Sequence, residues 1–180
     1  MALEDRERWN QKYLAGWKSS LHKTLLDFYR FAPLGRALEV ACGTGENAVF
    51  LAKAGFVVDA VDISDIAIQK AKELARKEGV YVNFICADLD HFVPEENAYE
   101  LVVNFYYLNR SLIPKLKRAL KQEGLIIFET YNEKHTLVKK DFNPEYLLKE
   151  GELLQLFRDF EVLHYSESFN ISTFVGKKLR

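Results

Sequence analysis

A chain of 180 residues, 48% hydrophobic and 28% charged, has the balance and length of one folded domain with its own core rather than of a disordered tract. Its net charge of −1 removes any global electrostatic case for nucleic acid or an anionic membrane surface as partner. The apolar stretches are strand-sized, short of the roughly 20 residues that span a bilayer, and the charged opening MALEDRERWNQKY lacks the apolar core of a signal peptide, so a cytoplasmic protein is expected.

In chain order, Trp9, Tyr13 and Trp17 recur every fourth residue and predict an aromatic stripe on one helical face. A second amphipathic stretch over 21–31 runs up to Pro33. Residues 1–35 thus read as a helical cover, packed on the remainder or acting as a lid that excludes water. Predicted strands then fall at 37–42, 57–61, 81–86, 101–105, 125–130, 161–165 and 171–177. The early ones are continuous apolar runs, as expected of parallel strands covered on both faces. Predicted helices lie between them: 65–77 with Ser64 as N-cap, 111–121 with Ser111 as cap and Pro114 in the first turn, and 147–157. Alternation of strand and helix implies a doubly wound α/β sheet. It stops at the end, where only residues 166–170 separate the last two strands, too few for a parallel crossover. Those two strands should form an antiparallel hairpin. Cys42 and Cys86, each at a strand end, read as small, reduced, near-buried residues.

The sharpest signal lies between the first two strands. The glycine turn Gly43-Thr44-Gly45 lets backbone N–H groups approach a ligand. GTGENA also fits the dinucleotide pattern G-x-G-x-x-G/A, which alone is weak. The acids around it discriminate. Glu39 lies four residues before Gly43, where a dinucleotide would place its pyrophosphate. A carboxylate repels a phosphate but favours the ammonium and sulfonium of S-adenosylmethionine (SAM). Asp62 closes the second strand, where it can accept hydrogen bonds from ribose hydroxyls. Asp88 and Leu89 follow the third, an acid for the adenine amino group beside an apolar residue for the ring face. Each acid also has a plain structural reading, Asp62 and Asp88 as caps of local turns.

These segments resemble class I SAM-dependent methyltransferases. EVACGTG is similar to their first motif, VDIS to the second and ADL to the third, with VVNFYYL and EGLIIFET like the fourth- and fifth-strand segments, from about residue 36 to 129. WNQKY and the segment NPEYLL with GEL are similar to the ends of bacterial tellurite-resistance-like methyltransferases. The resemblance implies a single domain over 1–180, with the cofactor-binding core over 36–180. It implies a Rossmann-like, seven-stranded, mostly parallel sheet with an antiparallel C-terminal hairpin. It also implies SAM as cofactor and S-adenosylhomocysteine as product. Tyr13 would approach the carboxylate end of SAM and Asn104 its methionine part. The full expected cofactor set is Tyr13, Trp17, Glu39, Ala41, Gly43, Gly45, Asn47, Asp62, Ile63, Asp88, Leu89 and Asn104.

Methyl transfer is an in-line displacement in which the protein aligns the reactants and excludes water, and a base is needed only for a protonated acceptor. No residue stands out as catalytic. Ligands of open α/β sheets bind beyond the strand C-termini, so Tyr106, Arg110, Tyr131 and His135 are the candidates for an acceptor pocket. Each has a plainer alternative: Arg110 paired with a helix carboxylate, the tyrosines packed with wet tips, His135 an exposed loop residue. The histidines form no metal-ligand spacing with acids or cysteines, and no metal is expected. The reading that follows is a methyltransferase for a small-molecule acceptor, monomer or homodimer, acting on neither nucleic acid nor membrane. A non-catalytic SAM-binding sensor or partner protein is the alternative, and an NAD-type oxidoreductase is disfavoured by Glu39 and the hairpin.

Overall fold

A computed structural model describes residues 2–179. Seven strands form one sheet in the order β3-β2-β1-β4-β5-β7-β6: β1 Arg36–Val40, β2 Val57–Asp62, β3 Asn83–Cys86, β4 Tyr99–Phe105, β5 Leu120–Tyr131, β6 Phe160–Ser168 and β7 Ile171–Lys178. β1 to β5 are parallel, whereas β7 lies antiparallel between β5 and β6. The expected hairpin therefore inserts its second strand against the parallel sheet. The order reverses between β1 and β4, which makes their C-terminal ends the topological switch point where such sheets bind ligands.

Two apolar layers cover the sheet. One face packs Leu38, Val102, Ile126 and Phe128 against α5 (Ile113–Ala119) and α6 (Glu152–Leu156). The other packs Ala37, Leu101, Ile127 and Val175 against α2 (Lys23–Phe28), α3 (Glu46–Lys53) and α4 (Asp65–Glu78). Alternation along β1 and β5 sends Glu39 and Glu129 to this second face, in step with Ala37 and Ile127. Ser64 caps α4, its hydroxyl accepting the Ala67 N–H at 3.0 Å.

Several boundaries differ from expectation, each for a local reason. The first helix, α1, spans Ala2–Leu14 and ends before Gly16, whose φ of 96° is left-handed, so Trp17 lies beyond the helix rather than on its face. Its ring still folds back to 5.4 Å from Tyr13 and 5.6 Å from Trp9. Ser111 does not cap α5: Asn109 Oδ1 captures both its N–H and its hydroxyl, and the helix begins at Ile113. Leu147 and Leu148 are buried in extended backbone, not in a helix. The Leu148 N–H bonds the Tyr131 carbonyl, and helix resumes only after left-handed Gly151. Cys86, expected near-buried, is exposed because β3 flanks the open edge of the sheet, whereas Cys42 is buried.

Candidate functional site

The C-terminal ends of β1, β2 and β4 carry a connected polar layer. At the turn after β1, Gly43 has φ 56° and Gly45 φ 90°, both left-handed. A Cβ on Gly45 would come within 2.8 Å of the Ala71 Cβ, so glycine there lets α3 pack closely on α4. A Cβ on Gly43 would strike the Ser19 hydroxyl. Two non-glycine residues share this backbone region at neighbouring strand ends, Ala41 after β1 (φ 54°) and Tyr106 after β4 (φ 55°). Strain of this kind, of order 1–3 kcal/mol per residue, clusters where a ligand must be approached.

Asp62 is buried and ties the turn together. One carboxylate oxygen accepts the Gly43 N–H and the other the Ser64 N–H, both at 2.9 Å. Burial raises its pKa despite those amides. Glu39 is different. Its Oε2 accepts the Asn47 amide at 3.0 Å, while Oε1 is buried with no hydrogen-bond partner among the described residues. Burial, with the Glu46 and Asp62 charges adding to it against the Asn47 bond, pushes the Glu39 carboxyl up to about 8. A buried acceptor atom without a donor is costly. An ammonium group at that place would satisfy it, so the residues present fit the amino group of SAM. The glycine cradle beside it, which a Cβ would fill, fits the same ligand.

The N-terminal segment lies over this layer. Ser19 and Thr44 exchange bonds, Ser19 N–H to Thr44 Oγ1 at 2.9 Å and Thr44 N–H to Ser19 Oγ at 3.0 Å. Tyr13 is buried with its hydroxyl facing Gly43, and burial with the Asp62 charge pushes its pKa far up. α1 is latched to the loop after β2. Arg6 Nε donates to the Ile63 carbonyl at 3.0 Å, Asn10 bonds both Ser64 and Asp65, and Lys70 reaches the Tyr13 carbonyl.

Of the other expected residues, Asn104 is buried and donates to the Tyr107 carbonyl at 2.7 Å. Leu89 is buried, and Asp88 makes a turn with Asp90 N–H (2.9 Å) and meets the His91 ring at 3.2 Å, as its plainer reading had it. Asn47 sits between Glu39 and His22, its Nδ2 reaching Glu39 Oε2 and His22 Nδ1 (2.9 Å) and its Oδ1 accepting the His22 N–H (3.1 Å). Among the acceptor candidates, Tyr106 and Tyr131 lie 4.9 Å apart and Tyr131 stacks on His135 at 3.7 Å. His135 is buried, not exposed, and Asn170 fills its Nδ1 at 3.0 Å. Arg110 is not with them. Four of its five N–H donors are engaged, two by the Glu152 carboxylate (2.6 and 2.9 Å) and two by the Glu145 and Leu147 carbonyls. Its role is to fasten the segment before α6.

Sequence reasoning missed Glu129, His22, Thr24 and Thr173. Glu129, at the end of β5, accepts hydroxyl bonds from Thr24 (2.5 Å), Thr173 (2.8 Å) and Tyr106 (2.8 Å). The signal was present in one form: like Glu39 and Asp62, Glu129 is an acid closing an apolar strand.

Comparison with known proteins bears on the fold that carries this site. Residues 37–124 match the methyltransferase domain family. A probable SAM-dependent methyltransferase, TehB, of Haemophilus influenzae is 24% identical over 158 residues, covering 83% of this chain and 54% of the relative. A putative methyltransferase of Geobacillus sp. is 30% identical over 135 residues, covering 68% and 53%. The chain thus spans about half the length of these relatives. The crystal structure of TehB from Haemophilus influenzae superposes with a TM-score of 0.79 at 19% identity, over 96% of this chain and 66% of that one, a likeness of fold.

Proposed function

We propose that this chain, which has the class I SAM-dependent methyltransferase fold and resembles the TehB group, moves a methyl group from SAM to a small-molecule acceptor. The observation that supports this most is the buried, partnerless Oε1 of Glu39 beside the glycine turn. A dinucleotide would bring a pyrophosphate, whose charge would hold that carboxyl protonated and leave its buried acceptor position unmet. SAM brings a cation.

In this reading Glu39 holds the amino group and the Gly43–Gly45 backbone receives the ligand closely. Asp62 and Asp88 accept from ribose hydroxyls and the adenine amino group with the lone pairs their backbone bonds leave free. Leu89 covers the ring face. Ala41, Asn47, Ile63 and Asn104 complete the wall, and Tyr13 and Trp17, carried by the 1–35 cover over the 36–180 core, close it against water. SAM supplies a sulfonium-bound methyl, an electrophile activated without help from the protein. The chain's own work is alignment and dehydration of the site. With a net charge of −1, the partner proposed is a small molecule rather than nucleic acid, and the protein is proposed to act in the cytoplasm as a monomer or homodimer. Among the described residues, no helix is long and apolar enough to cross a membrane.

Calorimetric titration with SAM, S-adenosylhomocysteine and NAD tests this. Micromolar binding of the first two, absent for NAD and lost in Asp62→Ala, is the expected result. NAD binding without SAM binding overturns the proposal. Transfer of labelled methyl to a panel of small acceptors then separates an enzyme from a SAM-binding protein without catalysis.

A further inference from the structure

Beyond the cofactor layer, the ends of β4, β5 and β7 hold a second buried carboxylate, and its surroundings are unlike those of an ordinary structural acid. Glu129 is 8% exposed, yet its partners are three neutral hydroxyls, and among the described residues no lysine or arginine pairs with it. Buried carboxylates are as a rule paired with a cation. Oε1 takes two hydroxyls and Oε2 only one, so an acceptor position on Oε2 is open.

The neighbouring groups bring no positive charge. Asn47 must turn its NH2 to the Glu39 carboxylate and its oxygen to the His22 N–H, so its remaining N–H points at His22 Nδ1. That nitrogen therefore accepts, and His22 is neutral. Burial lowers its pKa further, against the pull of Glu129. At His135, Nδ1 faces the Asn170 amide, and burial and Lys139 lower its pKa. Lys139 itself is exposed and lies over the Phe142 ring. Arg110, the guanidinium among the acceptor-pocket candidates, is spent on Glu152 and two carbonyls. Meanwhile the Tyr106 hydroxyl reaches the carboxylate, His22 lies 5.3 Å and Tyr131 4.9 Å from the Tyr106 ring, and all three rings are partly exposed. A buried carboxylate with no cation of its own, beside partly exposed aromatic residues, is chemistry that recognises an organic cation.

We propose that Glu129 with Tyr106 and Tyr131 forms a cation-selective acceptor subsite, so that the acceptor of this chain is a protonated amine rather than an oxyanion. The proposal rests on the reading of the site as a methyltransferase site. An ammonium bound there is held by its charge, and it becomes an acceptor for methyl only after losing one proton to solvent, which frees the nitrogen lone pair.

Two matched series test it on the full chain saturated with S-adenosylhomocysteine: 2-phenylethylamine, 2-phenylethanol and phenylacetate, then propylamine, propanol and propionate. Calorimetry should show the amine binding at least tenfold more tightly than the alcohol in one series or both, with no carboxylate binding. Glu129→Gln should abolish the preference, with S-adenosylhomocysteine affinity within twofold of wild type as proof that the variant is folded. Preference for the carboxylate, equal binding of amine and alcohol, no binding in either series, or an amine preference that survives Glu129→Gln each overturns the proposal. Because the readout is binding, failure of methyl transfer as the function shows separately, as absent labelled transfer to an amine that binds. Failure of the subsite shows as transfer to selenite or a thiol but not to amines.

Discussion

Asp59 and Glu39 lie on adjacent strands of one sheet and are treated in opposite ways. Near the N-terminal edge, Asp59 on β2 receives the Tyr99 hydroxyl (2.6 Å), the Asn83 amide (3.0 Å) and the Arg36 guanidinium (3.0 Å). Burial pushes its pKa up, but those three donors outweigh it and hold the carboxyl below its usual range. Towards the C-terminal edge, Glu39 on β1 has one amide donor for two oxygens and is pushed up to about 8. The first acid is finished by the chain itself. The second is left incomplete at the edge where Ala41 and Tyr106 also hold strained backbone. Within one sheet, then, Asp59 has the full satisfaction of a residue that serves stability, and the deficit at Glu39 is what the proposed ligand role accounts for.

Glu39→Gln is the largest way to break this contrast. Removing the charge that would meet an ammonium should cost SAM affinity on the order of a hundredfold or more, the scale of losing one partner of a buried charge pair. The same variant should be no less stable than wild type, and more stable near pH 8. The sign follows from linkage. The folded carboxyl titrates near 8 and the unfolded one near 4.5, so the folded state holds the proton longer and stability falls as pH rises across that window. Urea titrations at pH 5 and pH 8 should show that fall in wild type and its absence in Glu39→Gln. Ligand binding at pH 6 should also release close to one proton as Glu39 ionises against the cation. Calorimetry in buffers of different ionisation enthalpy reads this, and zero release would mean that the cation does not sit at Glu39.

The contrast also explains how much could be read from the sequence. Glu39, Gly43, Gly45 and Asp62 are close along the chain and at positions fixed by one β-α-β unit, so their spacing was enough to bring them together at one edge. The hairpin was readable because five residues cannot cross a sheet. Glu129 was not, because its donors Thr24 and Thr173 come from 105 and 44 residues away, and nothing local announces them. For Arg110 the pairing with a helix carboxylate was among the sequence alternatives, and Glu152 supplies it, but the two carbonyls that complete its locking were not legible, because they depend on residues 147–148 pairing with the end of β5 instead of coiling. Leucines spaced for a helix were overruled there by a backbone pairing worth more to a buried segment than its local preference.

Asp59→Asn attacks the finished side and should do the reverse of Glu39→Gln. The amide cannot accept as strongly from Arg36 and Tyr99, and the expected loss is about 1–2 kcal/mol of folding stability, seen as a lower urea midpoint. SAM affinity should stay within twofold, since Asp59 lies well away from the strand C-termini. The stability Asp59 contributes is present above its unfolded pKa of 3.8 and is lost as pH falls through its lower folded value, so wild type and variant should converge in acid. A variant as stable as wild type at pH 7 would show that the three donors add nothing net.

The smallest effect concerns the cover. Thr44 N–H belongs to the glycine turn, yet it is bonded to the Ser19 hydroxyl of the N-terminal segment, and Thr44 Oγ1 returns a bond to the Ser19 N–H. Removing one of these leaves the other, so Ser19→Ala should cost under about 1 kcal/mol globally. Locally it should matter more, because the amide loses its acceptor at the point where the cover meets the turn. Hydrogen exchange at Thr44 should accelerate several-fold, while amides of Val40 and Val61 in the strands beneath keep their protection. If all three accelerate together, the segment opens only with the whole domain and is a fixed part of the fold. If Thr44 alone responds, the cover releases by itself and can admit a ligand to the turn, which is the property that divides a lid from a wall.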